Sequence, residues 1–248
     1  MSKSIVFSGI CIIILLSIFN ASADVSFTND IDISDKAINL IITENYTGED
    51  AKVFKKDFDI DNNSVIVDSE MDVFRSDFLD HRANQFLEYI ILDDDHSLLT
   101  LESIEMEFEN VEGELDNSNM SITTMVSYGF ASSASNMSLS SGDRSIWILG
   151  HPSIKNITIS LPQNIELESH AGIDNITQSA NGGRIVLEGR SGIRSFMVDE
   201  KPTFEYAVFL ETSEQSFYEK AYFIPLLVLV ELLLALTGYY IINKNKIK

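Results

Sequence analysis

The sequence predicts an α+β fold: a β-rich, sandwich-like, mainly antiparallel body that carries one long amphipathic helix and is bracketed by two apolar ends. Three observations lead there. Short runs of β-branched and aromatic residues recur between Gly, Asn, Ser and Pro punctuation. One stretch, from Met71 to Ile91, steps its apolar residues by three and four. The first and last twenty-odd residues are far greasier than anything between them.

In chain order, Lys3 supplies a charged start, residues 5–19 an apolar run, and Ala21-Ser22-Ala23 a small-residue site before Asp24. Residues 1–23 are therefore expected to be an export signal, with an uncleaved N-terminal anchor as the alternative. Cys11 lies ahead of most of the apolar run, so a lipid attached there would leave the hydrophobic segment on the chain.

Residues 37–46 (AINLIITENY) read as a strand. Residues 53–60 alternate around Phe54, Phe58 and Ile60, and Asn62-Asn63 turns the chain into 64–67, so this region is expected to be a β-hairpin. The helix follows over about residues 69–92, with Ser69 as N-cap and Asp72 three residues on; Asp93-Asp94-Asp95 opposes the helix dipole and stops it. Residues 98–108 and 121–130 read as strands joined by the acidic turn 112–119. The Ser-, Ala- and Asn-rich stretch 131–143 is expected to be a linker between an α+β part (24–130) and a β-rich part (144–221). In the latter, 145–149, 154–161, 184–188, 195–198 and 203–210 read as strands, and Trp147 as a core anchor.

Residues 222–242 are long enough for a helix across ~30 Å of hydrocarbon. Tyr222, Tyr239 and Tyr240 supply interfacial aromatics, and Lys244, Lys246 and Lys248 make 243–248 a basic tail expected to stay cytoplasmic. Glu231 falls near the middle, where a carboxylate is costly: it is either neutral or faces a partner helix, with a basic residue of another membrane subunit as the sharper reading.

The chain has 248 residues with 17 basic and 38 acidic side chains. Lys3, the three tail lysines and Glu231 lie in the ends, so 13 basic and 37 acidic residues remain between them, a formal charge of −24. That acidity argues against nucleic acid and anionic lipid headgroups as partners of the body. Cys11 is the only cysteine. Signal cleavage would leave no thiol, which excludes disulfides, Cys-ligated zinc and Cys nucleophiles and leaves stability to the hydrophobic core.

Between the two apolar ends lie six N-x-S/T sequons, at Asn45, Asn62, Asn119, Asn136, Asn156 and Asn175, which are candidate glycosylation sites. Asp57-x-Asp59-x-Asp61 opens like a calcium loop, with Asp68 at the twelfth position. Counted from Asp57, it departs from that pattern: Asn62 stands where the tight turn wants glycine, and Asp68 where a bidentate glutamate is usual. Phe58 and Ile60 also suit a strand with a solvated acidic face. His81, His96, His151 and His170 show no zinc spacing, and neither a G-x-S-x-G elbow nor a phosphate-binding glycine loop occurs. No cofactor is expected beyond that weak calcium candidate, and no enzymatic activity.

The strand into a Leu-Pro turn (157–162, ITISLP), the Gly182-Gly183 turn, the single long helix and the two apolar ends resemble archaeal cell-surface proteins of uncharacterised role. That resemblance rests on layout and implies a β-rich ectodomain next to a membrane helix. The expected function is a single-pass, membrane-anchored extracytoplasmic binding or scaffolding protein of the cell envelope, with the lipid bilayer and an envelope protein as partners. Two alternatives are an accessory or sensory subunit coupled to a membrane partner through the Glu231 helix, and a surface hydrolase using acidic residues.

Overall fold

The computed structural model describes residues 25–82, 90–115, 121–133, 137–216, 218 and 222–246, with side chains of the last helix as far as Thr237. The expected export signal at 1–23, and the sequons at Asn119 and Asn136, lie outside the described residues. The described residues are β-rich and mainly antiparallel, with three α-helices among them.

Two sheets enclose one core. The larger has the order β11-β12-β9-β1-β2-β7-β5, and the smaller β10-β14-β8-β4 with β13 also paired to β14. The larger comprises β1 (Val25–Ile33), β2 (Ala37–Thr47), β5 (Leu99–Glu109), β7 (Ser121–Ser132), β9 (Ile154–Gln163), β11 (Ile173–Asn181) and β12 (Arg184–Ser191). The smaller holds β4 (Ile90–Leu92), β8 (Arg144–Leu149), β10 (Ile165–Ala171), β13 (Ile193–Val198) and β14 (Lys201–Glu214). Among the described residues every strand pairing is antiparallel except β1 with β9.

Period-two alternation builds the core. Along β7, Ile122, Thr124, Val126, Tyr128 and Phe130 are buried at every second position, as a pleated strand with one covered face requires. Ile31, Leu40, Phe130 and Ile159 of the larger sheet share one apolar cluster with Ile146, Ile148, Val208 and Leu210 of the smaller. Strands from before and after 131–143 lie in both sheets, and within that stretch Leu139 is buried in the shared core. Ser138 and Ser140 donate to Asp35 there, and these bonds hold its carboxyl below the usual carboxylate range.

Two of the chain crossings between the sheets fall on glycines. Gly172 joins β10 to β11 and Gly192 joins β12 to β13, and the Gly192 N–H donates to the Gly172 carbonyl at 2.9 Å. Gly172 has φ +74°, and a Cβ there would lie 1.7 Å from the Ala207 carbonyl oxygen, so no other residue fits without moving β14.

Arg184 fastens the β12, β9 and β1 edges. Its guanidinium donates to the carbonyls of Leu161 (2.8 Å), Ile33 (2.9 Å) and Ser160 (3.2 Å) and to the Asp32 carboxylate. Arg184→Leu strands these acceptors, two of them main-chain groups of buried residues. It is expected to lower unfolding free energy by about 2–3 kcal/mol in urea titration; an unchanged midpoint would show water replacing the guanidinium at no cost.

Three elements differ from the sequence reading. Residues 53–60 are not a strand of a hairpin: α1 spans Gly48–Lys56. Its first turn holds Glu49 and Asp50 and its last Lys55 and Lys56, which complements the helix dipole. Ala51, Phe54, Lys55 and Phe58 step by three, one and three, a helical stripe that also mimics alternation. Secondly, the long helix is shorter than 69–92: α2 spans Asp68–Arg82. Residues 83–89 lie outside the described residues, and Ile90–Leu92 form β4, pairing Ile90 with Ile148 and Leu92 with Ile146. Burial of Ile90 and Leu92 in the shared core outweighs continuing the helical stripe. Thirdly, Trp147 is half-buried on the outer face of β8, where its Nε1 donates to Glu205 at 2.8 Å.

The chain closes in α3, Phe223–Lys246, 24 residues. Every side chain from Ile224 to Thr237 is exposed, so this apolar helix does not pack into the sandwich. Among the described residues no helix is long and apolar enough to cross a membrane, the described side chains of α3 ending at Thr237.

Candidate metal centre

Between α1 and α2 the chain makes a tight loop that places three carboxylates together. Ligand oxygens of Asp59, Asp61 and Glu70 all lie within 4.8 Å of one another. Asp59 is half-buried, Asp61 exposed and Glu70 only 8% exposed. Three like charges at this spacing repel, and burying one of them raises the cost unless a cation shares the site.

The carboxylates are held by main-chain N–H groups in a regular order. Asp59 accepts from Ser64 at 3.1 Å, Asp61 from Asn63 at 3.0 Å, and the Asn63 side-chain oxygen from Val65 at 2.7 Å. Glu70 Oε1 accepts from Ile60 at 2.9 Å and its Oε2 from Val67 at 3.1 Å, the latter an i,i+3 bond across the first turn of α2. Glu70 thus closes the loop onto its own beginning.

Counted from Asp59, the loop has the spacing of an EF-hand calcium site. Asp59, Asp61 and Asn63 occupy the first, third and fifth positions, the Val65 carbonyl the seventh, and Glu70 the twelfth, where a bidentate glutamate is usual. The sixth position, which wants glycine for its left-handed turn, is Ser64 with φ +67°. The eighth is Ile66, fully buried in the two-residue strand β3 (Val65–Ile66), which pairs with β6 (Gly113–Glu114). Helices flank the loop on both sides, as in that motif.

Of the four residues singled out in sequence, the structure brings Asp59 and Asp61 into the group. Asp57 instead caps the C-terminus of α1, and Asp68 opens α2. Counting from Asp57 displaces the register by two, which puts Asn62 at the turn and hides Glu70. Asn62 also has a left-handed φ of +56°, but it stands at the fourth position. The signal for Glu70 was present: D-x-D-x-N followed seven residues later by Glu.

A small aromatic core supports the loop. Phe58, just before it, stacks on Phe74 of α2 at 4.1 Å and meets Phe54 and Phe108 edge-on at 5.3 and 5.0 Å. Ala51, Ile66, Val111 and Ile122 complete this cluster. Lys55, 3% exposed, donates to the Glu112 and Glu114 carbonyls at 3.3 and 2.8 Å, tying α1 to β6; burial pushes its pKa down.

Tyr46 joins the lobe to the larger sheet, stacking on Phe54 at 4.2 Å and donating its hydroxyl to Glu44 at 2.5 Å. Burial, then the Glu44 bond and charge, push its phenol well above the ordinary value of 10.0. Because the folded form holds this proton more tightly, the contribution is complete below pH 10 and is lost as pH rises from there towards the folded pKa. Tyr46→Phe is therefore expected to flatten the fall in stability above pH 10, read as the wild-type-minus-variant difference in urea midpoints from pH 8 to 11. Parallel curves would show that the phenol ionises freely in the folded protein.

Of the described sequons, Asn62, Asn156 and Asn175 are exposed. Asn45 is half-buried and its side-chain oxygen accepts from Thr123 at 3.0 Å. Glu231 is exposed among the leucines of α3. A second acidic recess is lined by Asp93, Asp143, Glu168 and Glu211 with Arg144. Asp93 is paired with Arg144 at 2.8 Å, Glu168 accepts from Ser213 and Glu211 from Ser169. Three of its four carboxylates thus already serve structural bonds.

No family model matches the chain, and no curated protein matches it.

Proposed function

We propose that the chain is a single-pass, membrane-anchored extracytoplasmic protein whose acidic β-rich body binds or scaffolds another envelope component, with calcium as a structural ion in the α1–α2 loop. The observation that carries this is α3: apolar on all sides, bearing exposed Ile224, Leu226, Leu229, Leu233 and Leu236, and unburied by the sandwich. A water-facing helix of that composition is unstable in solution, whereas the hydrocarbon of a bilayer satisfies it all round.

Outside the cytoplasm, calcium is abundant enough to fill sites with Kd of about 10⁻⁴–10⁻³ M. The loop's three carboxylates, one amide oxygen and one carbonyl match the hard oxygen ligands that ion takes. The ion's role is to neutralise the cluster and lock α1 against α2. No catalytic step is assigned to it.

The accessory-subunit reading is favoured by one feature, Glu231, whose carboxylate faces outward from α3 with apolar residues on both sides. In that reading a basic side chain of a partner helix pairs with it.

The test is fractionation. The full chain should sediment with membranes after an alkaline wash, and a chain ended after Ser216 should not. Recovery of the intact full-length chain in the soluble fraction would overturn the reading.

A further inference from the structure

Beside the shared core the two sheets part around a cavity of about 390 Å³, within the range of small-molecule sites. The inner face of the larger sheet forms its floor, through Phe27 and Asn29 of β1, Ile42 and Glu44 of β2 and Val126 of β7. Phe78 of α2 and the turn after β8, which carries His151, make up the rest. The walls are chiefly apolar, and the polar groups are few.

One of those polar groups has an unpartnered atom. Asn29 is 5% exposed, and its side-chain oxygen is buried without a hydrogen-bond partner. A buried acceptor left in this state destabilises the fold, because it has given up water for nothing. Its position is not forced by the fold, because Asn29 stands opposite Ile42 in the β1–β2 ladder, where an apolar side chain would extend the core. Glu44, opposite Phe27 in the same ladder, adds a carboxylate to the same wall. Across the cavity His151 packs edge-on against Phe27 at 6.0 Å, and its Nδ1 accepts from the Ser153 N–H.

We propose that this cavity is a ligand site for a small amphiphile whose apolar body fills the space between the sheets and whose head, an ammonium or a hydroxyl, donates to the Asn29 oxygen. The recognising groups are acceptors, Asn29 Oδ1 and the Glu44 carboxylate. A donor head is therefore selected, and a carboxylate head is rejected by repulsion from Glu44. This site uses none of the carboxylates of the calcium loop and no residue of α3.

Saturation-transfer NMR on the full chain in nanodiscs, with benzylamine, benzyl alcohol and benzoate as probes, tests the assignment, because the three share a ring and differ in the head. Empty nanodiscs give the background to subtract. Benzylamine and benzyl alcohol should bind and benzoate should not. Asn29→Leu should weaken both donor-headed probes about five- to tenfold, the worth of one hydrogen bond. The same variant should hold or raise the unfolding midpoint, because it removes the unpaired acceptor; that separates loss of binding from loss of fold. Glu44→Gln should weaken benzylamine more than benzyl alcohol. Binding of all three probes alike, binding of none, or donor-headed binding undiminished in Asn29→Leu would each overturn the proposal.

Discussion

Glu70→Gln is expected to abolish the calcium response of the protein while leaving the sandwich folded. In the wild type, adding calcium should raise the unfolding midpoint, because an ion that binds only the folded loop stabilises it by about 2.7 kcal/mol at a hundred times Kd. Glutamine keeps one acceptor for the Ile60 or Val67 N–H but loses the charge and the second oxygen that a twelfth-position ligand supplies. Glu70→Ala goes further, leaving both N–H groups without their partner, and should destabilise even with chelator present by about 1–3 kcal/mol. The pair of variants separates ligand loss from loss of the loop closure. Magnesium should substitute poorly, since it holds its water and demands tighter octahedral geometry. A wild-type midpoint that ignores calcium and chelator alike, or one that calcium raises equally in Glu70→Gln, would remove the ion from this account. The loop would then be a structural turn in which Glu70 serves only as a cap.

The lobe that carries this site also marks where sequence reading ran short. The apolar strands were legible because one face is buried: 37–46, 121–130, 154–161 and 203–210 all fall within strands, and β7 buries every second residue along its length. Strands β1, β10 and β11 were missed, and for β11 the side chains explain it. In β11 only Ile173 is buried, and the rest of its Asn-, Gln- and Ser-rich run is largely solvated, so pairing with β12 sets its conformation without an apolar pattern to announce it. The α1 region failed for the opposite reason. Phe54 and Phe58 satisfy both a strand's alternation and a helix's four-residue step, and the arbiter was charge: acids in the first turn and lysines in the last. Asn29 was invisible because an Asn in an alternating strand reads as a surface residue, and only the fold turns it inward.

If α3 anchors the chain as proposed, ending it after Ser216 is expected to move it from the membrane fraction to the soluble one while keeping its unfolding transition. Thirteen Leu, Ile, Val and Phe residues lie between 223 and 242. At about −0.3 to −0.6 kcal/mol each, they favour insertion by roughly 4–8 kcal/mol, against about +3 for a carboxylate near the centre. The balance favours the bilayer with a margin small enough for Glu231 to matter. Glu231→Leu should therefore anchor the chain more firmly, resisting alkaline extraction better than wild type. The same substitution divides the two anchoring readings: if Glu231 pairs with a basic group on a neighbouring helix, firmer anchorage comes with loss of co-purifying membrane partners. If it only sits protonated in lipid, anchorage improves and the partners stay. The body has no stake in either outcome, because the exposed faces of α3 contribute nothing to the shared core of the two sheets. A truncated chain that loses its cooperative transition would instead show that the helix holds the sandwich together, and the apolar surface of α3 would then need an explanation inside the fold.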